Sequence, residues 1–266
     1  MVPCHMTSLP KNIDLFELYE AAVQDSVQEA RFLSYIAIKE RGRRALRLRE
    51  DFCGSFWLCH EWVKLSPQNS AMGIDLNSKA IKWGRKKRPD PLLNARIKTQ
   101  VQDVRRVTAS KFDMIAALNF SYFIFRKRKE ILHYFKAVRK SLRPGGILVL
   151  DHFGGPAVFE PSMTPSKCKL SDGRRFISQW EEKNFNAATH MVDCAIHFDL
   201  PGKRRIKNAF TYPWRLWTLA ELKDLLLEAG FKGTSFYFEG EDGRYFKNTT
   251  KVNDFKQWIA FVVGRA

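Results

Sequence analysis

Arg44-Ala45-Leu46-Arg47-Leu48-Arg49-Glu50-Asp51-Phe52-Cys53-Gly54-Ser55 alternates apolar and charged side chains and then breaks into a turn. A two-residue period marks a strand, and the turn residues after it end that strand. A helical period follows at once: from Ser55 to Leu65 the residues Phe56, Cys59, Trp62 and Val63 fall on one side. A strand that passes through a tight turn into a helix begins a parallel crossover unit.

The same order of elements recurs downstream. Ala71 to Leu76 reads as the second strand, and Asn77 or Ser78 caps a helix that ends in cations suited to its dipole. Ala95 to Gln102 is the third strand, ending at Asp103. Phe112 to Leu118 is the fourth, continuously apolar as a strand covered on both faces must be. Lys129 to Leu142 is an amphipathic helix with Ile131, Phe135 and Val138 inward. Arg143-Pro144-Gly145-Gly146 reads as a turn before the fifth strand, Ile147 to Asp151. This repetition predicts an α/β fold with a doubly wound, mostly parallel sheet.

Upstream, Ile13 to Glu40 reads as one helical stretch. After Phe153 the pattern changes: Arg174 to Glu181, His190 to Leu200 and Arg204 to Tyr212 alternate around the turn Pro201-Gly202. Three parts are therefore expected: an N-terminal helical cap over 1–43, an α/β domain built from 44–152 and 215–266, and an inserted antiparallel lid over 153–214. Thr218 with Glu221 forms a capping box for a helix ending at Gly230. Two last strands, Thr234 to Glu239 and Gln257 to Val263, have a long polar loop and no helix between them, so they should pair antiparallel.

Composition narrows the function classes. The chain has 266 residues and 45% hydrophobic content, enough for a real core. It contains no apolar run long enough for a membrane span and no basic-then-apolar leader, so a soluble, cytoplasmic protein is expected. Its five cysteines, Cys4, Cys53, Cys59, Cys168 and Cys194, form no CxxC pair, and neither a metal site nor a disulfide framework is expected. The net charge of +17 is densest from Lys79 to Arg88 and from Arg126 to Arg143. Such faces can hold RNA or an acidic substrate, or they are simply solvated helix surfaces.

Residues 44–151 and the closing strand pair resemble the class I S-adenosylmethionine-dependent methyltransferases, in particular a branch with an Arg-Glu-Asp-Phe-Cys-Gly loop. The resemblance implies a seven-stranded sheet whose last strand is antiparallel to the rest. It also implies S-adenosylmethionine as cofactor and methyl transfer as the reaction. In the first loop Glu50 stands at the family's acid and Gly54 at the middle of three alternate glycines, while Phe52 and Phe56 stand at the outer two.

From the same resemblance come the candidate cofactor residues. Glu50 and Asp51 can receive the ammonium of the methionine moiety, or they can cap the next helix. Arg49 can pair with the methionine carboxylate, or it is a strand-edge residue. Asp75 at the second strand tip can accept hydrogen bonds from both ribose hydroxyls, with Leu76 covering the adenine. Asp103 and the Val104 backbone can meet the adenine edge, although Asp103 also suits a plain turn. Asn119 and Tyr122 would flank the transferable methyl, or form a polar loop with aromatic packing. Tyr19 and Gln24 on the N-terminal helix resemble residues that close over the cofactor, while Tyr19 also lies on the apolar stripe.

Two features bear on substrate. Tyr212-Pro213-Trp214-Arg215-Leu216-Trp217 is an aromatic joint fit for a binding wall or for packing. His152 is a candidate general base, with a structural role as the alternative. The resulting expectation is direct in-line methyl transfer to a small molecule. RNA as acceptor, motivated by the charge, and a non-catalytic scaffold with a degenerate cofactor loop are the alternatives.

Overall fold

The computed structural model describes residues 2–3, 14–202, 204–239, 245–247 and 256–266. In chain order its elements are β1 Val2–Pro3, α1 Leu15–Val23, α2 Ser26–Arg41, β2 Arg47–Asp51, α3 Trp57–Lys64, β3 Ser70–Asp75, α4 Ser78–Lys87, α5 Pro91–Asn94, β4 Ile97–Val101 and β5 Phe112–Ala117. There follow α6 Arg128–Ser141, β6 Leu142–Gly154, β7 Ser162–Lys169, β8 Arg175–Asn186, β9 Met191–Leu200 and β10 Arg204–Arg215. The chain closes with α7 Leu219–Glu228, β11 Gly233–Glu239, β12 Tyr245–Lys247 and β13 Trp258–Arg265. They divide into two compact units: Met1–Gln24, Phe123–Arg126 and Gly154–Trp217 form the first, and Asp25–Tyr122, Lys127–Phe153 and Thr218–Ala266 the second.

The second unit holds a sheet in the order β12-β11-β13-β6-β5-β2-β3-β4. β4, β3, β2, β5 and β6 run parallel, and β11 pairs antiparallel with β13. This is the doubly wound, mostly parallel sheet expected. An eighth strand, β12, adds three residues at its edge from within the polar loop, whose remaining residues 240–244 and 248–255 lie outside the described set. All six residues of β5 are buried, which is why that segment shows no alternation. The core joins Leu48, Met114, Ala116, Ile147 and Val149 of the sheet to Leu33 and Ile36 of α2 and to Cys59, Trp62 and Val63 of α3.

Charged bolts fix the sheet to its helices. Asp113 accepts hydrogen bonds from the Leu46 and Arg47 amides at 3.0 Å each, and from Arg41 Nη2 at 3.0 Å. Glu40 of α2 accepts from Tyr237 at 2.5 Å and Arg265 at 2.9 Å, and pairs with Lys247 at 2.6 Å. Burial opposes its ionisation, but the hydrogen bonds from Lys247, Tyr237 and Arg265 outweigh burial and bring its pKa down to about 2.

The first unit is an antiparallel sheet in the order β1-β10-β9-β8-β7, with α1 packed on β7. Three of its strands follow the alternating segments read from sequence, and β7 does not. Ser162–Lys169 is an edge strand with most side chains exposed, so it has no buried face to impose alternation.

Two further readings are corrected. The stretch from Ile13 is not one helix: Gln24 is extended, at φ −105° and ψ 131°, and Asp25 caps a new helix by accepting from the Gln28 amide at 3.2 Å. Arg143 to Gly146 is not a separate turn but part of β6, absorbed as an irregularity between the pairs Phe112–Leu142 and Met114–Ile147. Among the described residues no helix is long and apolar enough to cross a membrane, and Cys53, Cys59, Cys168 and Cys194 are free thiols.

Gly84 of α4 lies against the first loop so closely that a Cβ would stand 2.1 Å from the Ser55 carbonyl oxygen. A Gly84→Ala exchange gains about 1 kcal/mol of helix propensity. It also forces backbone from backbone, at a cost of about 1–3 kcal/mol. The clash is with backbone and cannot be relieved by a rotamer, so a lower urea midpoint is expected in equilibrium unfolding, and an unchanged or higher one would refute this close approach.

Candidate cofactor site

The carboxyl ends of β2, β3, β5 and β6 bring the chemistry of the second unit together. After β2 the chain turns sharply through Phe52, Gly54 and Phe56, whose φ angles are 59°, 51° and 50°. All three lie in the left-handed region that favours glycine, so the two phenylalanines hold a backbone shape that costs them about 1–3 kcal/mol each. Packing holds them there: Phe56 is fully buried, and Phe52 lies 6.0 Å from the Tyr134 ring. Underneath, Gly73 leaves room for Cys53, whose sulfur would stand 2.8 Å from a Cβ at that position.

The turn aims its amides at carboxylates. Gly54 N donates to Asp75 Oδ2 at 2.8 Å and Asn77 N to Asp75 Oδ1 at 2.7 Å. Cys59 N donates to Glu50 Oε2 at 3.0 Å. Glu50 thus serves α3 as a remote cap, which its own N-cap residue Phe56 cannot do. At the tip of β5, Asn119 and Phe120 also adopt left-handed φ angles, 57° and 55°, and their amides donate to Asp151 at 2.6 and 2.8 Å.

Two of these acids, and Glu29 near them, are perturbed. Burial lifts Glu50 to about 8, with the charges of Glu29 and Asp75 adding to the shift against the Cys59 hydrogen bonds. Asp151 is lifted to about 8, chiefly by burial, with Glu29 contributing. Glu29 on α2 is lifted by burial to about 7. Glu29, Glu50, Asp75 and Asp151 therefore form one acidic cluster, and among the described residues no lysine or arginine pairs with any of them. Leu76, beside Asp75, is 70% exposed.

The other predicted residues are placed differently. Arg49 and Asp51 point to the opposite side of β2 from Glu50, as strand alternation requires. They form a fully buried ion pair, Nε to Oδ1 at 2.6 Å, completed by Tyr134 on Asp51 at 2.9 Å and by Arg49 Nη2 on the Val104 carbonyl at 2.7 Å. Asp103 is chelated by Arg105, at 2.6 Å on Oδ2 and 3.0 Å on Oδ1, and this hydrogen bonding lowers its pKa. It takes no part in the acidic cluster. Tyr122 is buried and shares a 2.7 Å hydrogen bond with His152 Nδ1. Burial depresses His152 to about 3, so it is neutral at physiological pH.

Tyr19 and Gln24 belong to the first unit, where the Tyr19 ring lies 4.9 Å from Phe210. In that unit Trp217 Nε1 donates to the Phe125 carbonyl at 3.1 Å and Tyr212 packs on Trp214 at 4.6 Å. Sequence reasoning missed Glu29 and Asp151. Asp151 carries the strand-tip signal that marked Asp75 and Asp103, while nothing on the helix signals Glu29.

Comparison with known proteins bears on the fold that carries this geometry. A methyltransferase-domain family model matches residues 52–150. A search of curated proteins returns no match. Among solved structures, DesVI of Streptomyces venezuelae superposes with a TM-score of 0.72 at 18% identity, over 95% of this chain and 98% of that one. CalS10, an amino pentose methyltransferase from Micromonospora echinaspora solved with S-adenosylmethionine, gives 0.71 at 17% identity over 98% and 100%. The sugar N-methyltransferase KedS8 from Streptoalloteichus gives 0.68 at 17% identity over 100% and 98%. Residues 52–150 thus match a methyltransferase-domain model, and the chain shares its fold with these solved methyltransferases.

Proposed function

We propose that this chain transfers the methyl group of S-adenosylmethionine to a small molecule, and that the acidic cluster at the strand tips is the cofactor's seat. The observation that carries this reading is electrostatic. In a chain of net charge +17, four carboxyl groups gather in one crevice with no lysine or arginine paired to them among the described residues. Ionising such a cluster is costly unless something positive completes it. A ligand bearing a sulfonium and an ammonium does so.

The residues fit the group. Asp75 spends one lone pair of each oxygen on Gly54 and Asn77 and keeps the other two for ribose hydroxyls. Leu76 offers an exposed apolar face for a purine ring. Glu50 keeps Oε1 for the ammonium of the methionine moiety. Arg49 and Asp51 brace the crevice from the far side of β2 rather than touching ligand. When bound, S-adenosylmethionine supplies a methyl already activated by its sulfonium, so the chain's task is to orient it and to exclude water. His152, neutral and held by Tyr122, is a positioning residue in this scheme and not a base. The two neighbours that act on sugars support a small-molecule acceptor.

Calorimetric titration with S-adenosylmethionine should show one saturable site, and no heat at millimolar cofactor would end this reading. Asp75→Asn, which weakens a charge-assisted contact, should lower affinity about 10- to 100-fold while the fold, followed by circular dichroism, persists.

The raised acids make two further outcomes specific. Glu29, Glu50 and Asp151 have folded pKa values of about 7, 8 and 8, above their unfolded values. The stability they contribute is therefore complete in acid and is lost as pH rises through 7–8. His152, depressed to about 3, works the other way, but only below pH 6.5. Between pH 6.5 and 8.5 the thermal midpoint should fall, and Glu50→Gln should flatten that fall. Over the same range the affinity ratio of S-adenosylmethionine to S-adenosylhomocysteine should rise, because only the former carries the sulfonium charge; a ratio independent of pH would separate the cluster from the sulfonium.

A further inference from the structure

The inner face of the antiparallel sheet in the first unit carries an unusual row. Ser162 of β7 stands opposite Glu182 of β8, Glu182 opposite Cys194 of β9, and Cys194 opposite Tyr212 of β10. Four polar side chains thus line up across four strands, on a face that also carries large aromatic residues. The neighbouring row is Thr164, Trp180, Ile196 and Phe210, and Trp214 follows Tyr212 on the other side. At about 4.8 Å per strand the polar row spans about 14 Å, the length of a small metabolite.

Glu182 is the member that a structural role does not explain. It is only 3% exposed. Oε2 accepts from Ser162 Oγ at 3.1 Å, whereas Oε1 has no hydrogen-bond partner among the described residues. No lysine or arginine pairs with it there, although Glu181 next to it on the outer face is paired with Lys183 at 2.7 Å. Burial, with Glu182 and Asp193 nearby, pushes the Cys194 thiol well up from its ordinary value. Beside it the Trp180 ring lies 6.0 Å from Tyr212 and 5.8 Å from Trp214. Aromatic faces attract cations and a carboxylate completes them. A buried acceptor with no donor demands one from outside the chain.

We propose that this row binds an organic ammonium group, with Glu182 as the counter-charge and Trp180, Tyr212 and Trp214 as the aromatic wall. The inference rests on the methyltransferase reading in one respect: it makes an aliphatic amine the class of acceptor. A neutral alcohol would satisfy Oε1 by one hydrogen bond and pack on the rings but would gain no cation–π attraction, so amine should be preferred over alcohol of the same shape.

The test is a titration of cyclohexylamine and of its neutral isostere cyclohexanol into the full chain, followed by the indole N–H resonances of Trp180 and Trp214. Cyclohexylamine should bind at least tenfold more tightly and shift both resonances. Glu182→Gln should abolish the preference. Trp180→Leu, which keeps the carboxylate, should reduce amine affinity severalfold, and it decides the matter should Glu182→Gln fail to fold. Equal affinity for amine and alcohol, a preference that survives Glu182→Gln, or amine affinity unchanged in Trp180→Leu overturns the proposal. S-adenosylmethionine binding, measured calorimetrically on the same samples, keeps the two readings apart. A chain that binds the cofactor and ignores the amine refutes this inference alone, and one that does not bind the cofactor refutes the transferase.

Discussion

Carboxylates crowded at the carboxyl ends of a parallel sheet must be stabilised by something, and in this protein the backbone does it. Glu50 is met by the Cys59 amide, Asp75 by Gly54 and Asn77, and Asp151 by Asn119 and Phe120. Three of those donors sit on residues with left-handed φ angles, near 50–57°. The bent loops and the strand-tip acids are therefore one device. A regular strand end would point these amides along the sheet, and only the sharp turn swings them onto a side chain of a neighbouring strand.

The amides are enough to hold the acids but not to neutralise them, and the rest of the unit shows that this is selective. Asp113 has Arg41, Glu40 has Lys247 and Arg265, Asp51 has Arg49, and Asp103 has Arg105. Asp113, Glu40 and Asp51 are bolts between elements, Asp103 is held within its own loop, and each has its cation. With 45 lysines and arginines in the chain, cations are not scarce. Among the described residues the acids at the crevice have neutral donors only, and unlike the exposed helix caps Asp25 and Asp90 they lie close enough to raise one another, which is what motivates a cationic ligand. The same logic, applied to Glu182 in the other unit, links the two proposals physically.

The sheet was readable because its signal is repeated: each buried strand is short, apolar and followed by a turn and a helical period. Phe112 to Ala117 and the Thr218–Glu221 capping box appear where the pattern puts them. The break at Gln24 was not readable, because helical periodicity continues through it and only the cap geometry of Asp25 ends one helix and starts the next. β7 was not readable because an exposed edge strand has no two-sided contrast. In the site, Glu50 and Asp75 were legible as strand-tip acids. Asp103 gives the same signal and yet is spent on Arg105, two residues away. A tip acid followed at that distance by arginine can chelate it, and strand position alone does not separate the two cases.

The first loop carries a more general lesson about motifs. The family pattern places glycine at three alternate positions, and here two of the three are phenylalanine, which argues against the usual turn. Yet positions 52, 54 and 56 all take the left-handed backbone that glycine would have adopted. What glycine supplies is the absence of a penalty, and a penalty of a few kcal/mol can be met elsewhere. Phe56 meets it by complete burial in the core shared with Trp62 and Ile81. A fully buried aromatic side chain contributes about 1.5–3 kcal/mol, the same size as the strain. Where the surrounding core can anchor a large side chain, the conformation outlives the residue type that usually marks it, and a search for glycines alone passes over a loop whose backbone is intact.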